Sequence, residues 1–198
     1  MAVTNPMPLS GPVLPRRLSV EEFERIPEGV FPQGERLELI YGLIYTKMGQ
    51  NDPHVFALLY AFRALQAAFG PSFTLMMQMP ARFGDDSRVE PDILALRGSI
   101  EDYEGRQVDP VDDVALVLEV SDTSLAYDQG IKSHLYASQG IAEYWIVNLR
   151  DRTLEIRRRP RRETGEFDEF LVLREGESVQ VSDSQVPVAS LLPKGQDA

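Results

Sequence analysis

Two acidic side chains lie at the ends of segments that are otherwise apolar. Asp92 opens the run 93–96, and Glu119 lies near the end of the run 114–121. A carboxylate in a buried strand is costly unless a cation or hydrogen bonds compensate its charge. Oxygen ligands on rigid elements are also what a hard divalent cation requires. The pair therefore indicates a site for such a cation, unless each acid lies beyond its strand in water or caps a helix or turn.

A second group of candidate residues lies on a helix predicted over residues 125–139. Asp128, Lys132 and Tyr136 are spaced four residues apart and therefore line one face of it. Asp128 and Lys132 form either an exposed ion pair worth about 0.3–0.5 kcal/mol, or a functional pair in which Lys132 leans towards Glu119. In the second case the ammonium group would orient a water or neutralise charge developing on a phosphate. Lysine is rare in this chain, with 3 lysines against 17 arginines, which favours a special use for an isolated one.

Several other catalytic chemistries find little support. The chain has no cysteine, so thiolate metal sites and disulfides are excluded. Its two histidines, His54 and His134, lack the spacing of zinc ligands, and each is expected to be a neutral core or surface residue. Ser121 and Ser124 lack the context of a nucleophile elbow. The glycines form no phosphate-binding loop followed by Lys-Ser or Lys-Thr.

The net charge bears on whether nucleic acid is a partner. With 31 acidic and 20 basic residues the chain carries a formal charge of −11, which opposes binding to phosphate backbones. Residues 150–162 are the exception, because they hold seven arginines and two acids. This segment is either a solvated edge strand whose charges block edge-to-edge pairing or a phosphate-binding patch. Under the second interpretation, Arg152, Arg157 and Arg159 are candidate DNA contacts.

The elements that position these residues are predicted to form one domain over residues 18–192, between flexible segments 1–17 and 193–198. Ser19 and Glu22 predict a capped short helix, and Pro53 predicts the first turn of a longer one. Strands are predicted over 36–40, 43–48, 73–79, 92–96, 114–120, 143–148, 154–158 and 167–173. This order predicts an α/β fold of α+β type, with a mixed central sheet flanked by helices.

Composition limits the class of protein. A hydrophobic fraction of 43% and a charged fraction of 26% are ordinary for a globular domain. Residues 1–17 contain four prolines and no apolar stretch of the kind that a signal peptide needs. No apolar run is long enough to span a bilayer. We therefore expect a cytoplasmic protein without membrane association.

The same residues, taken together, resemble the Uma-type putative restriction endonuclease family of the PD-(D/E)XK nuclease superfamily. The motifs that carry the resemblance keep the family's order and approximate spacing over residues 18–192. They are Glu38–Ile44, His54, Val89–Asp92, Leu118–Ser121, Asp128, Lys132, Tyr136 and Gly140–Val147. The resemblance implies a restriction-endonuclease-like fold.

The resemblance also implies roles for individual residues. Asp92 and Glu119 match the two acids that ligate Mg²⁺ or Mn²⁺, and Glu38 matches an early acid that is a candidate additional ligand. The lysine expected two residues after the second acid is absent, since Ser121 stands there, and Lys132 on the following helix fits its place. His54 matches a supporting histidine near the site.

The expected function is metal-dependent endonuclease cleavage of DNA, in which Asp92 and Glu119 hold the cation and Lys132 assists the attacking water. One alternative is a catalytically inactive nuclease fold used for DNA binding or dimerisation. Another is a hydrolase of some other phosphate ester. A homodimer is expected, because two sites cut two strands most simply and two-fold pairing is the commonest symmetry.

Overall fold

A computed structural model describes residues 15–27, 29–47, 49 and 51–194. The helices are α1 (Val20–Glu24), α2 (Asp52–Phe69), α3 (Leu125–Tyr127) and α4 (Ser133–Ser138), with a π-helical turn over Asp128–Lys132 between the last two. Short 3₁₀ turns cover Gly70–Ser72, Ile100–Tyr103 and Val188–Leu191. The strands are β1 (Arg36–Ile40), β2 (Leu43–Lys47), β3 (Phe73–Met77), β4 (Ala81–Arg82), β5 (Arg88–Val89), β6 (Ile93–Arg97), β7 (Val114–Ser121), β8 (Glu143–Asn148), β9 (Thr153–Arg161), β10 (Glu166–Arg174), β11 (Ser178–Val181) and β12 (Ser184–Pro187).

The central sheet has six strands in the order β10-β9-β8-β7-β6-β3. Only β7 and β8 run parallel within it, joined by the helical segment 125–138, and the other neighbouring pairs are antiparallel. A smaller sheet has the order β2-β1-β5-β4, and β11 and β12 form a separate hairpin. The predicted α/β class with a mixed sheet flanked by helices is therefore confirmed.

Both faces of the central sheet are buried. Leu116, Leu118 and Val120 of β7 belong to a core that also contains Leu58 and Leu65 of α2. The opposite face packs against the helical segment 125–138, through a second core that contains Val117 and Tyr136. A strand covered on both faces reads as a nearly continuous apolar run, as the sequence of β7 does. Glu119 departs from that pattern and faces the second helix layer.

The register of two antiparallel strands brings the two acids together. Ile93 of β6 pairs with Leu118 of β7, so Asp92, just before β6, lies beside Glu119. The segment before β6 and the end of β7 therefore meet at one edge of the sheet. No helix within the described ranges is both long and apolar enough to cross a bilayer.

Some sequence-based boundaries change in the structure. The helix predicted over 125–139 is interrupted by the π turn, and α2 begins at Asp52, one residue before Pro53. The hairpin β11–β12 was not predicted. The predicted solvated edge strand is wrong, because β9 lies between β8 and β10 inside the sheet. Residues 1–14, 28, 48, 50 and 195–198, which include most of the two segments predicted to be flexible, lie outside the described residues.

Candidate active site

A cleft of about 330 Å³ opens where β7 ends and the helical segment 125–138 begins. Both predicted acids reach it, together with residues from β2, from the start of α2 and from the loop after β7. Its lining includes Lys47, His54, Asp92, Glu119, Asp122, Ser124, Tyr127, Asp128 and Lys132. The sheet edge predicted for a cation is therefore also the site of a cavity.

Asp92 is 1% exposed and is held by groups from four elements. Its Oδ2 accepts the backbone N–H of Val120 at 2.9 Å and lies 3.1 Å from His54 Nε2. Its Oδ1 accepts a hydrogen bond from Gln78 Nε2 at 3.1 Å. Burial would raise the pKa of Asp92, but the hydrogen bond with His54 and the positive charge of Lys47 outweigh it and hold the pKa below its usual range. Asp92 is therefore a fixed carboxylate at neutral pH.

Gln78 is a contributor that the sequence did not suggest. Its backbone adopts φ 52°, a left-handed conformation uncommon for residues other than glycine. The backbone N–H of Gln78 also donates to the carbonyl of Asp92 at 3.1 Å. Two hydrogen bonds to one residue fix the entry of Asp92 into β6.

Glu119 is also 1% exposed, and its two oxygens have different surroundings. Oε1 accepts hydrogen bonds from Lys132 Nζ at 2.7 Å and from Tyr136 Oη at 2.8 Å. Oε2 has one hydrogen-bond partner among the described residues, the backbone N–H of Asp92 at 3.4 Å. Burial raises the pKa of Glu119 to about 7, although the charge of Lys132 acts in the opposite direction. Further positive charge beside Oε2 would favour the ionised form.

Lys132 lies between two acids instead of on the surface. It is 1% exposed, and its Nζ lies 3.2 Å from Oε1 of Glu38 as well as 2.7 Å from Glu119. Burial alone would lower the pKa of Lys132, but the two carboxylates hold it well above its usual value. Lys132 is therefore a permanent internal cation whose first contacts are carboxylates.

Both carboxylate oxygens of Glu38 have polar partners. Oε1 accepts the backbone N–H of Glu90 at 2.9 Å besides contacting Lys132, and Oε2 accepts from Tyr127 Oη at 3.0 Å. Its side chain is not among those that line the cleft. The structure gives Glu38 the surroundings of a counter-ion to Lys132, and its role as a metal ligand stays a prediction.

The predicted exposed ion pair between Asp128 and Lys132 is wrong, since both residues are buried. Asp128 Oδ2 accepts hydrogen bonds from Ser121 Oγ at 2.5 Å and Ser124 Oγ at 2.7 Å. These contacts tie the first turn of the helix to the end of β7. The π turn that begins at Asp128 then carries Lys132 towards Glu119.

Lys47 is a cation of the cleft that sequence reasoning did not assign. It ends β2, and its Nζ donates to the carbonyl of Glu90 at 2.7 Å and lies 3.6 Å from Oδ1 of Asp92. Its side chain is 13% exposed, compared with 1% for Lys132. The rarity of lysine was the available signal, because two of the chain's three lysines line this cleft.

The two histidines lie in different places. His54, near the start of α2, contacts Asp92 through Nε2, while its buried Nδ1 has no hydrogen-bond partner among the described residues. His134 does not line the cleft, and its Nδ1 lies 2.6 Å from Tyr41 Oη. The structure therefore brings His54 to the candidate site and leaves His134 outside it.

The arginines of segment 150–162 are largely neutralised by acids. Arg157 is 9% exposed, whereas the side chain of Arg159 is 72% exposed. The pairs include Arg152–Glu175 at 2.6 Å, Arg157–Glu155 at 3.0 Å, Arg158–Glu143 at 2.7 Å, Arg159–Glu169 at 3.3 Å and Arg161–Glu166 at 2.9 Å. None of these arginines lines the cleft. Their DNA-binding role stays a prediction.

The cleft offers few ligands for a divalent cation. In the part of the chain that the structure describes, no three His, Asp or Glu side chains form a complete ligand set. Mg²⁺ commonly takes only one or two carboxylates and fills its other positions with water and substrate phosphates. Asp92 and Glu119 fit that requirement, because the lightly bonded Oε2 of Glu119 lies beside Asp92 in an open cleft.

Comparison with protein families matches residues 20–189 to the Uma2 model, described as a putative restriction endonuclease. The chain belongs to this family. The resemblance carried by its sequence motifs is thus confirmed, and family and fold together indicate a nuclease of restriction-endonuclease-like type. Comparison with curated proteins finds no match.

A solved structure supports the Uma2 fold assignment. A crystal structure of a putative nuclease of the DUF820 group from Anabaena variabilis superposes with a TM-score of 0.68 at 17% sequence identity. The match covers 88% of this chain and 97% of that one. At this identity the likeness supports the architecture of the central sheet and its helices.

Proposed function

We propose that this Uma2 protein is an endonuclease that hydrolyses DNA phosphodiester bonds with Mg²⁺ or Mn²⁺ held by Asp92 and Glu119. The observation that carries the proposal is the convergence of two buried carboxylates and two of three lysines on one cleft. A divalent cation bound there would polarise the scissile phosphate and lower the pKa of a bound water. Family membership supports nucleic acid as the substrate.

The residues that contact Asp92 and Glu119 hold these two carboxylates in position. Asp92 is held by Val120, His54 and Gln78, so the position of its carboxylate is fixed before a cation binds. Lys132 and Tyr136 hold Oε1 of Glu119 and leave Oε2 directed towards Asp92. We therefore assign the assistance expected of Lys132 to positioning Glu119 and opposing the protonation that its burial favours.

Lys47 is the cation best placed to reach a substrate phosphate. One of its three N–H groups is used by the carbonyl of Glu90, and the side chain lines the cleft with partial exposure. A compact ammonium group beside Asp92 would neutralise charge that develops on the phosphate during attack. This assignment gives the two cleft lysines separate roles.

The electrostatics favour local over general binding to DNA. The net charge of −11 opposes approach of a phosphate backbone, and most of the arginine-rich segment is paired with acids. Binding is therefore expected to depend on the cation and on a few exposed side chains such as Arg159. Such an activity implies a location where DNA is accessible, such as the cytoplasm.

Plasmid nicking tests the proposal. Wild-type protein should convert supercoiled plasmid to the nicked form with Mg²⁺ or Mn²⁺ and lose this activity in EDTA. The double variant Asp92→Asn/Glu119→Gln should be inactive, while the matched control Asp113→Asn/Glu143→Gln, which changes acids outside the cleft, should retain activity. Equal nicking by wild type and the Asp92/Glu119 variant would show that the assigned site is wrong. Salt-sensitive DNA binding without cleavage in either metal would favour an inactive binding module.

A further inference from the structure

Strand β10 forms one edge of the six-stranded sheet and exposes three consecutive apolar side chains. Phe170 is 57% exposed, Leu171 41% and Val172 43%. A long edge strand offers unpaired N–H and C=O groups to another strand, and proteins that remain monomeric usually protect such an edge with charge, proline or a covering element. The middle of β10 carries apolar residues where that protection would be expected.

The charges of β10 lie on either side of this apolar centre. Glu166, Asp168 and Glu169 precede it and Arg174 follows it, and of these Glu166, Asp168 and Arg174 are exposed. Asp168, Phe170, Val172 and Arg174 are alternate residues and therefore share one face of the strand. An antiparallel copy of the strand would place the acidic half of one β10 opposite the basic end of the other.

One register pairs the apolar centre with its own copy and also sets an acid opposite a base. A two-fold axis through Leu171, perpendicular to the sheet, places Leu171 opposite its own copy, Phe170 opposite Val172, and Asp168 opposite Arg174. That register sets one acid opposite an apolar side chain, Glu169 opposite Leu173. Moving the axis to Phe170 sets two acids opposite apolar side chains, Asp168 opposite Val172 and Glu169 opposite Leu171. Strand β10 is thus complementary to a second copy of itself, with the two-fold axis at Leu171.

We propose that β10 pairs antiparallel with β10 of a second copy of this chain through a two-fold axis at Leu171. The pairing joins the two central sheets into one of twelve strands and forms an isologous interface. Asp168 contacts Arg161 at 2.9 Å within its own chain, but that pair is half exposed and weak enough to exchange for Arg174 of the second copy. The interface does not depend on the nuclease activity proposed above.

The oligomeric state tests the interface directly. Wild-type protein should sediment as a dimer at micromolar concentration, and Leu171→Asp should raise the dimer dissociation constant about tenfold or more. The matched control is Ile100→Asp, because Ile100 is also an exposed apolar residue, 60% exposed, and lies outside β10. A monomeric wild type, or a dimer that Leu171→Asp leaves unchanged, would overturn the proposal, and β10 would then face solvent or a different protein.

Cross-linking tests the register without relying on a disruptive substitution. Since the chain has no cysteine, Leu171→Cys creates a single thiol that can form a disulfide only with another copy. Mild oxidation should yield a covalent dimer with Leu171→Cys and little with Ile100→Cys. Asp168→Arg and Arg174→Asp should each weaken the dimer, and their combination should restore it. Equal cross-linking at positions 171 and 100, or no recovery in the charge swap, would contradict the register.

Discussion

The ammonium group of Lys132 lies 2.7 Å from Oε1 of Glu119, with both side chains almost fully buried. The pair connects the helical layer to the end of β7. Replacing Lys132 by methionine should leave Glu119 and Glu38 buried without their cation. Removal of one partner of a buried ion pair costs about 3–5 kcal/mol, so we expect a loss of that size in the free energy of unfolding.

Urea denaturation of Lys132→Met measures this loss. Lys194→Met is the matched control, because Lys194 is exposed and should change stability little. If both substitutions have equally small effects, Lys132 does not compensate the two acids in the folded protein.

Lys47 should show a different balance, with a smaller loss of stability than Lys132 and a large effect on cleavage. Its ammonium group is partly exposed and makes one hydrogen bond, to the carbonyl of Glu90. Removing one preorganised cationic contact to a transition state typically lowers the rate about 10²–10³-fold. Single-turnover cleavage by Lys47→Met should therefore fall by about that factor, with Lys194→Met unchanged. Cleavage by Lys47→Met at the wild-type rate would show that Lys47 has no role in the reaction.

The ion pair between Arg106 and Asp113 predicts a pH-dependent contribution to stability. Both terminal nitrogens of the guanidinium group, Nη1 and Nη2, lie 2.7 Å from the carboxylate, and this hydrogen bonding lowers the pKa of Asp113 from its ordinary value of 3.8. A lowered carboxyl pKa stabilises the fold above the unfolded-state value and loses that contribution as pH falls through the folded-state value. Because Arg106 is partly exposed, Asp113→Asn should cost only about 1 kcal/mol at pH 7.

Thermal unfolding of wild type and Asp113→Asn at a series of pH values checks this prediction. The stability difference between the two proteins should be largest at neutral pH. It should become smaller as the pH falls below the ordinary pKa of aspartate. A stability difference that grows as the pH falls would contradict a lowered pKa for Asp113.

Gly42 predicts a steric effect that can be separated from backbone strain. Gly42 and Gly105 both have φ 75°, but a Cβ at Gly42 would lie 2.9 Å from the carbonyl oxygen of Leu18, whereas Gly105 has open space. Gly105→Ala should cost about 1–2 kcal/mol for the left-handed conformation alone. Gly42→Ala should cost more, as measured by urea denaturation. Equal losses would mean that the segment around Leu18 moves aside freely.

The sequence predicted the parts of the site that lie on strongly patterned elements. The apolar runs 93–96 and 114–121 identified two core strands, so the acids at their ends could be placed at one edge of a sheet. The four-residue spacing of Asp128, Lys132 and Tyr136 identified the helix face that meets Glu119. In each case, local periodicity determines the orientation of the side chain.

Contacts that depend on tertiary arrangement could not be predicted in this way. Lys47 reaches Asp92 from a separate small sheet, and Gln78 does so only because of its left-handed backbone. The position of β9 inside the sheet depends on its pairing with β10, whose acids pair with Arg159 and Arg161. Charge counts along the chain carry no information about such partners.

Mn²⁺ binding, followed by electron paramagnetic resonance, tests most directly whether Asp92 and Glu119 together hold a divalent cation. Wild-type protein should show one site that Mg²⁺ displaces. Asp92→Asn/Glu119→Gln should abolish it, and the control Asp113→Asn/Glu143→Gln should retain it. Unchanged Mn²⁺ binding by the Asp92/Glu119 variant would contradict the account.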